Sequence, residues 1–340
     1  MIKVMICDDS AFMRKIFSDT VEKDPELKVS ITAYNGLDAL NKLKKYEVDV
    51  LMLDIEMPKL NGLETLEKVK SKYPNLPVIM VSALDNSETV FKALELGAFD
   101  FIPKPSGSIS LNIDSIKEEL IMKIKASLQK NSATTSTLSR KPKTKKKFKK
   151  SKDFPIVAVG SSSGGPRALN KLFESIPKNS PAAFVIVQHM PPGFTKTLAA
   201  RLDRVSGLKV KEAEAGDQIK PGHGLLAPGD YHLEINAQGK VELNQKDRIH
   251  GVRPCVDYMM ESLAKNFAGE RLIGVILTGM GHDGAEGMSA LVKNGAYGII
   301  ESKETALVYG MPSAAVKAGA YHEIKRIEEI GARITEILEG

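Results

Sequence analysis

Apolar residues over the first 125 positions or so fall into short runs separated by amphipathic stretches in an even rhythm. The runs Ile2 to Cys7, Val29 to Ala33, Val48 to Leu53, Val78 to Val81 and Phe99 to Ile102 read as short strands. Helical spacing lies between them, near Ala11 to Val21, Leu37 to Lys44, Gly62 to Lys70 and Glu88 to Leu96, with a further helix from about Ser115. Five βα units in succession predict a parallel sheet with helices on both faces, strand order 2-1-3-4-5, and ligands gathered beyond the carboxyl ends of the strands. The rhythm restarts with Ile156 to Val159, Phe184 to Val187 and Leu272 to Leu277, with helical stretches between. Shorter runs at Gly224 to Leu226, Tyr231 to Ile235 and Lys240 to Leu243 predict hairpins. The expected fold class is α/β, two doubly wound parallel-sheet domains.

Charge locates the joint between them. The 340 residues carry a net +6, yet Lys130 to Lys152 alone holds ten Lys/Arg and no acid, so the remainder of the chain is mildly acidic. That segment is low in complexity, poor in apolar residues and self-repelling, which predicts a flexible polybasic linker. The expected domains are residues 1–122 and 153–340, with 123–152 as linker. A basic excess confined to a solvated spacer argues against a nucleic-acid-binding fold, and no helix-turn-helix spacing follows it. Cys7 and Cys255 are the only cysteines, in no metal-binding or disulfide pattern, so a reducing compartment is expected. Asp8 and Asp9 interrupt the N-terminal apolar run before a signal peptide can form, and no later run approaches membrane-spanning length. A cytoplasmic monomer without membrane insertion is the expectation.

Candidate chemistry appears where strands end. In the predicted order, Asp8 and Asp9 end the first strand and Asp54 the third, so three carboxylates meet at one sheet edge. Such a cluster suits a hard divalent cation with oxygen ligands, and Mg²⁺ also neutralises an incoming phosphoryl group. Ser82 ends the fourth strand, and Lys104, within Pro103-Lys104-Pro105, follows the fifth. Taken singly, Asp8 or Asp9 can be a helix cap, Asp54 a loop acid, Ser82 a cap and Lys104 a surface charge. Taken together, each at its own strand end, they suit phosphoryl transfer onto the Asp54 carboxylate.

Residues 1 to about 120, with Asp54-Ile55-Glu56-Met57-Pro58 and Lys104-Pro105, resemble the receiver domain of two-component response regulators. The resemblance implies that Asp54 is phosphorylated and that Asp8 and Asp9 hold Mg²⁺ at Asp54 together with the Glu56 carbonyl. It also implies that Ser82 and Phe101 act as a switch pair.

In the second domain, Gly160-Ser161-Ser162-Ser163-Gly164 joins a strand to a helix and fits a nucleophile elbow. A glycine-rich turn of this kind also binds phosphate through its N–H groups, although the patterns of dinucleotide and nucleotide-triphosphate loops are absent. His189 follows the next strand and is the favoured base; His223, His232, His250 and His322 lack such a setting. Asp283 lies in the glycine-rich loop Thr278 to Ala285 after the Leu272 to Leu277 run, where it reads as the acid that orients His189 or as a plain turn aspartate. Backbone N–H groups of that loop, Met280 for example, can serve an oxyanion, and the neighbouring His282 reads as a bystander. The order Ser, His, Asp excludes the α/β-hydrolase fold, whose order is Ser, Asp, His.

These segments, with Leu226 to His232, Arg253 to Asp257 and Tyr309 to Pro312, resemble the catalytic domain of chemotaxis protein-glutamate methylesterases over residues 153–340. The resemblance implies Ser162 as nucleophile, His189 as base and later acid, Asp283 as orienting acid, and Met280 N–H as oxyanion donor, assisted by Ser163. No cofactor is implied at this second site. The implied substrates are methylated glutamates, and also glutamines, on cytoplasmic helices of chemoreceptors, with a chemotaxis histidine kinase as phosphodonor and phosphorylation releasing the hydrolase. Departures from the family pattern are Ser161 and Ser163 in place of Ala and Thr, Cys255 in place of a small hydroxyl, and Glu301 to Glu304 in place of Ala-Gln-Asp-Glu.

Overall fold

The computed structural model describes residues 1–83, 86–104, 113–128 and 154–339, which divide into two units at Lys130/Asn131. In the first, β1 (Ile2–Cys7), β2 (Leu27–Ala33), β3 (Val50–Asp54), β4 (Val78–Ser82) and β5 (Asp100–Pro103) form a parallel sheet in the order β2-β1-β3-β4-β5. Helices α1 (Ala11–Val21), α2 (Gly36–Lys42), α3 (Gly62–Lys72), α4 (Ser87–Glu95) and α5 (Ile113–Leu128) alternate with the strands. Strands β3 and β4 are buried along their whole length, as expected of apolar runs covered on both faces. Short polar side chains start the helices: Ser10 accepts Met13 N–H, Asn35 accepts Asp38 N–H, and Asn61 with Glu64 closes a capping box.

Helix α5 runs six residues past the expected domain end at 122. Lys123 and Lys125 read in sequence as the start of the basic linker, whereas in the fold they are paired. The buried Lys123 ammonium stands 2.7 Å from Glu119 and 3.2 Å from Asp100, Lys125 reaches Asp24 and Glu26, and Ile124 is fully buried. Residues 123–128 therefore belong to the first domain. The rest of the expected linker, and Pro105, lie outside the described residues.

The second unit is built on seven parallel strands, β6 (Ile156–Ser161), β7 (Ala183–Gln188), β8 (Lys209–Glu212), β9 (His223–Leu226), β12 (Leu272–Ile276), β13 (Tyr297–Glu301) and β14 (Glu323–Lys325). Their order is β14-β13-β12-β6-β7-β9-β8. An antiparallel hairpin of β10 (His232–Ile235) and β11 (Val241–Asn244) stands apart from that sheet. Helices α6 (Gly165–Glu174), α7 (Phe194–Val205), α8 (Val256–Asn266), α9 (Ala285–Lys293), α10 (Gly310–Lys317) and α11 (Ile327–Glu339) complete the unit. The hairpin expectation holds for β10 and β11 and fails for Gly224 to Leu226, which lies in the main sheet parallel to β7 and β8. Its partner β8 is a four-residue edge strand with Lys209 and Lys211 facing out, too short and polar to register in the apolar pattern. Both domains have the expected doubly wound architecture. Among the described residues, no helix is long and apolar enough to cross a membrane.

Candidate active sites

In the first domain the carboxyl ends of β1, β3, β4 and β5 bring Asp8, Asp9, Asp54, Ser82 and Lys104 to one edge. Asp8 and Asp54 are each 1% exposed, Asp9 is open to solvent, and one oxygen from each of the three lies within 4.8 Å of the others. Asp8 Oδ1 accepts Ser10 N–H at 2.8 Å. Asp8 Oδ2 and Asp54 Oδ2 are buried and accept no hydrogen bond of good geometry. The only cation paired with them among the described residues is Lys104, whose Nζ is 2.7 Å from Asp54 Oδ2 and 3.2 Å from Asp8 Oδ2. One ammonium against three carboxylates leaves the pocket short of positive charge. Burial, reinforced by Asp8, pushes the Asp54 carboxyl up to about 6 despite Lys104 and the Glu56 N–H. Buried, anionic oxygens that share a single ammonium at this spacing fit a hard divalent ion.

Of the other predicted members, Ser82 ends β4 opposite Pro103, and Phe101 lies two residues further back in β5, opposite Met80. Ser82 is fully buried and its hydroxyl donates to the Ala83 carbonyl. Phe101 is buried in β5, its ring 5.3 Å from Lys123 Nζ and its carbonyl accepting from that same ammonium. The Glu56 side chain turns aside to accept Asn86 Nδ2. A cavity of about 510 Å³ opens beside Asp9, Glu56 and Asn86.

In the second domain β12, β6 and β7 are consecutive in the sheet, so the loops that leave their carboxyl ends are neighbours. Ser162 follows β6, His189 follows β7, and Thr278 to Asp283 follow β12. Backbone hydrogen bonds tie the loops together: Ser162 N–H donates to Thr278 O at 3.0 Å, and His189 N–H to Ser161 O at 3.1 Å. The glycines of the elbow have steric reasons. A Cβ on Gly160 would stand 2.4 Å from the Val256 side chain, and Gly164 turns the chain into α6 with φ of +79°. Gln188 is buried and braces the elbow, its Nε2 donating to Ser162 O (2.9 Å) and His189 O (3.1 Å) while its Oε1 accepts Ser161 Oγ (2.7 Å). Ser161 thus orients Gln188.

Asp283 is 2% exposed, with Oδ2 2.7 Å from His189 Nε2. It also accepts Val256 N–H at 2.7 Å, Asp257 N–H at 2.9 Å and the Cys255 thiol at 3.1 Å. Burial alone would raise its pKa; the His189 ring and the two N–H donors overcome that and hold it well below the usual carboxylate range. Burial and the Asp283 charge push the Cys255 thiol up, so it stays a protonated donor. The two N–H groups open α8, so the carboxylate also caps that helix. Behind the loop, Glu301 accepts Thr278 N–H at 2.7 Å and the Thr305 hydroxyl at 3.0 Å, and burial pushes it up to about 7.

The three predicted segments are therefore brought together, and His189 and Asp283 are directly joined. Ser162 Oγ makes no hydrogen bond to His189, although its Cβ packs beside Gly279 of the acid loop. The Met280 and Ser163 N–H groups have no acceptor among the described residues. Sequence reasoning passed over Gln188 and the α8 N-terminus: Gln188 stands directly before His189, but nothing in its spacing discloses that it braces two loops.

Residues 157–334 match the family model of the CheB methylesterase, and residues 4–113 match that of the response regulator receiver domain. The first match covers more than half of the chain. The chain belongs to the CheB methylesterase family. A protein-glutamate methylesterase/protein-glutamine glutaminase of Pyrococcus abyssi is 44% identical over 99% of this chain and 94% of its own length. One of Bacillus subtilis is 42% identical over 100% of this chain and 99% of its own. The crystal structure of the Thermotoga maritima CheB methylesterase catalytic domain matches with a TM-score of 0.53 and 46% identity, covering 54% of this chain and 99% of that one. This member of the CheB methylesterase family is accordingly a hydrolase that carries a receiver domain, and such a domain takes Mg²⁺ at its phosphorylation site.

Proposed function

We propose that this chain removes methyl esters from glutamate side chains of chemoreceptors, and deamidates their glutamines, under the control of phosphorylation at Asp54. The His189–Asp283 contact at 2.7 Å beside the Ser162 elbow carries the reading. Since His189 Nε2 is held by Asp283, Nδ1 is the ring nitrogen left to take the Ser162 proton. Seating of substrate brings Ser162 Oγ and that nitrogen together, as apo catalytic contacts commonly tighten on binding. Ser162 Oγ then attacks the ester carbonyl, the Met280 N–H with help from Ser163 receives the developing oxyanion, and His189 returns its proton to the departing methanol. Water, deprotonated by the same imidazole, releases the glutamate carboxylate; with a glutamine substrate ammonia leaves in place of methanol.

In the first domain Asp54 is the phosphate acceptor, and Asp8, Asp9 and Asp54 with the Glu56 carbonyl would hold Mg²⁺. Bound there, the ion would supply charge neutralisation for an incoming phosphoryl group. Lys104 adds a fixed positive charge at the acceptor, while Ser82 and Phe101 are the pair that senses its state. A histidine kinase of the chemotaxis system is the phosphodonor, the cytoplasmic helices of chemoreceptors are the substrate, and the cytoplasm is the place of action. Ser162→Ala is expected to lower methanol release from methylated receptor by a factor of about 10³ or more. Turnover retained near the wild-type rate would overturn the reading.

A further inference from the structure

Helices α8 and α9 meet at their N-termini, and each is capped by a carboxylate that belongs to the other's start. Asp283, immediately before α9, accepts the first two N–H groups of α8. Asp257, in the first turn of α8, accepts the Gly287 N–H of α9 at 2.7 Å through Oδ1. The exchange needs close contact: a Cβ on Gly287 would stand 2.9 Å from the Asp257 Cα. Asp257 is 4% exposed, and its second oxygen faces His250 Nε2 at 3.0 Å. The His250 ring in turn lies edge-on to His282, the residue before Asp283, with ring centroids 4.2 Å apart. A second histidine–carboxylate pair thus backs the triad acid, joined to it by the Asp257 N–H and by the reciprocal caps.

We propose that His250 and Asp257 are positioning residues for the ester hydrolysis, fixing the orientation of Asp283 against His189 and setting the acidic limit of the reaction. This rests on the hydrolase reading above. The titratable groups that face the pair among the described residues are Asp283, which acts on Asp257, and His282, edge-on to His250, with the Cys255 thiol on the far side of Asp283. Burial and the Asp283 charge push Asp257 up to about 6, while the Gly287 N–H and His250 oppose them. Above that pH the ionised Asp257 caps α9 and holds His250. Below it the carboxyl takes a proton, the cap and the histidine link weaken, and the hold on Asp283 loosens. Removing His250 takes away a group that favours the ionised form, so the acidic limb should move to higher pH. Replacing Asp257 by Asn fixes that neutral, looser state at every pH, so the rate should be lower throughout, and with the ionisation and its negative charge gone the remaining limb should lie at lower pH.

The test is the rate at which a small serine-directed phosphonate modifies Ser162 of the full chain, followed from about pH 5 to 8. The expected result is a displacement of the acidic limb by about half a unit or more in opposite directions, upward for His250→Gln and downward for Asp257→Asn. His250 is partly exposed, so if Asp257→Asn fails to fold, His250→Gln decides alone. Variant limbs that superimpose on the wild-type limb, with or without loss of amplitude, would leave the pair a merely structural role and overturn the proposal. A wild-type chain that is not modified at all would instead overturn the hydrolase reading.

Discussion

Asp54 ends, and Asp283 follows, a central strand of a parallel sheet, and both are almost completely buried. Their hydrogen bonding is opposite. Asp54 shares a pocket with two further acids and one ammonium, and its Oδ2 accepts no hydrogen bond of good geometry. Asp283 is surrounded by donors: an imidazole, two helix N–H groups and a thiol. Burial dominates at the first and raises its pKa; the donors win at the second and lower it. A carboxylate left short of partners is prepared to receive something from outside, on the proposed function a cation and a phosphoryl group. One that is fully satisfied is prepared to stay still, which is what an acid that orients a histidine must do.

The largest expected effect breaks the satisfied side of this contrast. Asp283→Asn puts an amide N–H₂ where an oxygen accepts from α8 and His189, and should lower ester hydrolysis by a factor of about 10³ to 10⁴. The same change should destabilise the second domain by about 1–3 kcal/mol, seen as a lower denaturant midpoint. Preserved activity would mean that His189 is oriented by something else.

The unsatisfied side is probed by its cation. Mg²⁺ at about a hundred times its dissociation constant should stabilise the first domain by about 2.7 kcal/mol and leave the second domain's transition where it was. Asp54→Asn should weaken that response and abolish activation by a phosphodonor. Calorimetry with and without Mg²⁺ reads the first effect, methanol release the second. Equal stabilisation of both transitions would contradict a site confined to the three acids.

Glu301 is an intermediate case, a buried carboxylate with two donors and, among the described residues, no paired cation, and gives the smallest effect. Its folded pKa of about 7 lies above the ordinary glutamate value, so its contribution to stability is present at acid pH and is lost as pH rises through 7. Glu301→Gln removes the charged form and should therefore stabilise the domain by roughly 2 kcal/mol at about pH 8, with little difference below about pH 5. A melting series across pH checks the sign.

What the sequence made legible follows the same physics. Apolar runs between helical stretches disclosed the central strands, because those are covered on both faces; the first, Ile2–Cys7, has the same bounds in the fold. Strand-end positions then disclosed Asp8, Asp54, Ser162, His189 and Asp283, because parallel sheets expose their carboxyl ends at one edge. Elements whose reasons are tertiary stayed hidden. The edge strand β8 alternates charge with a single buried Val210, and Lys123 looks like linker until Asp100 and Glu119 pair with it. The reciprocal caps of α8 and α9 join residues 26, 27 and 30 positions apart where two helix starts meet, which no local pattern encodes.

The central claim is that Ser162 is the activated nucleophile of this constellation. Its most direct test is mass-spectrometric mapping of the intact chain after exposure to a serine-directed phosphonate. The account predicts a single adduct on Ser162, lost in Ser162→Ala and strongly slowed in Asp283→Asn. An adduct on Ser161 or Ser163 instead, or labelling of Ser162 that is indifferent to Asp283, would contradict it.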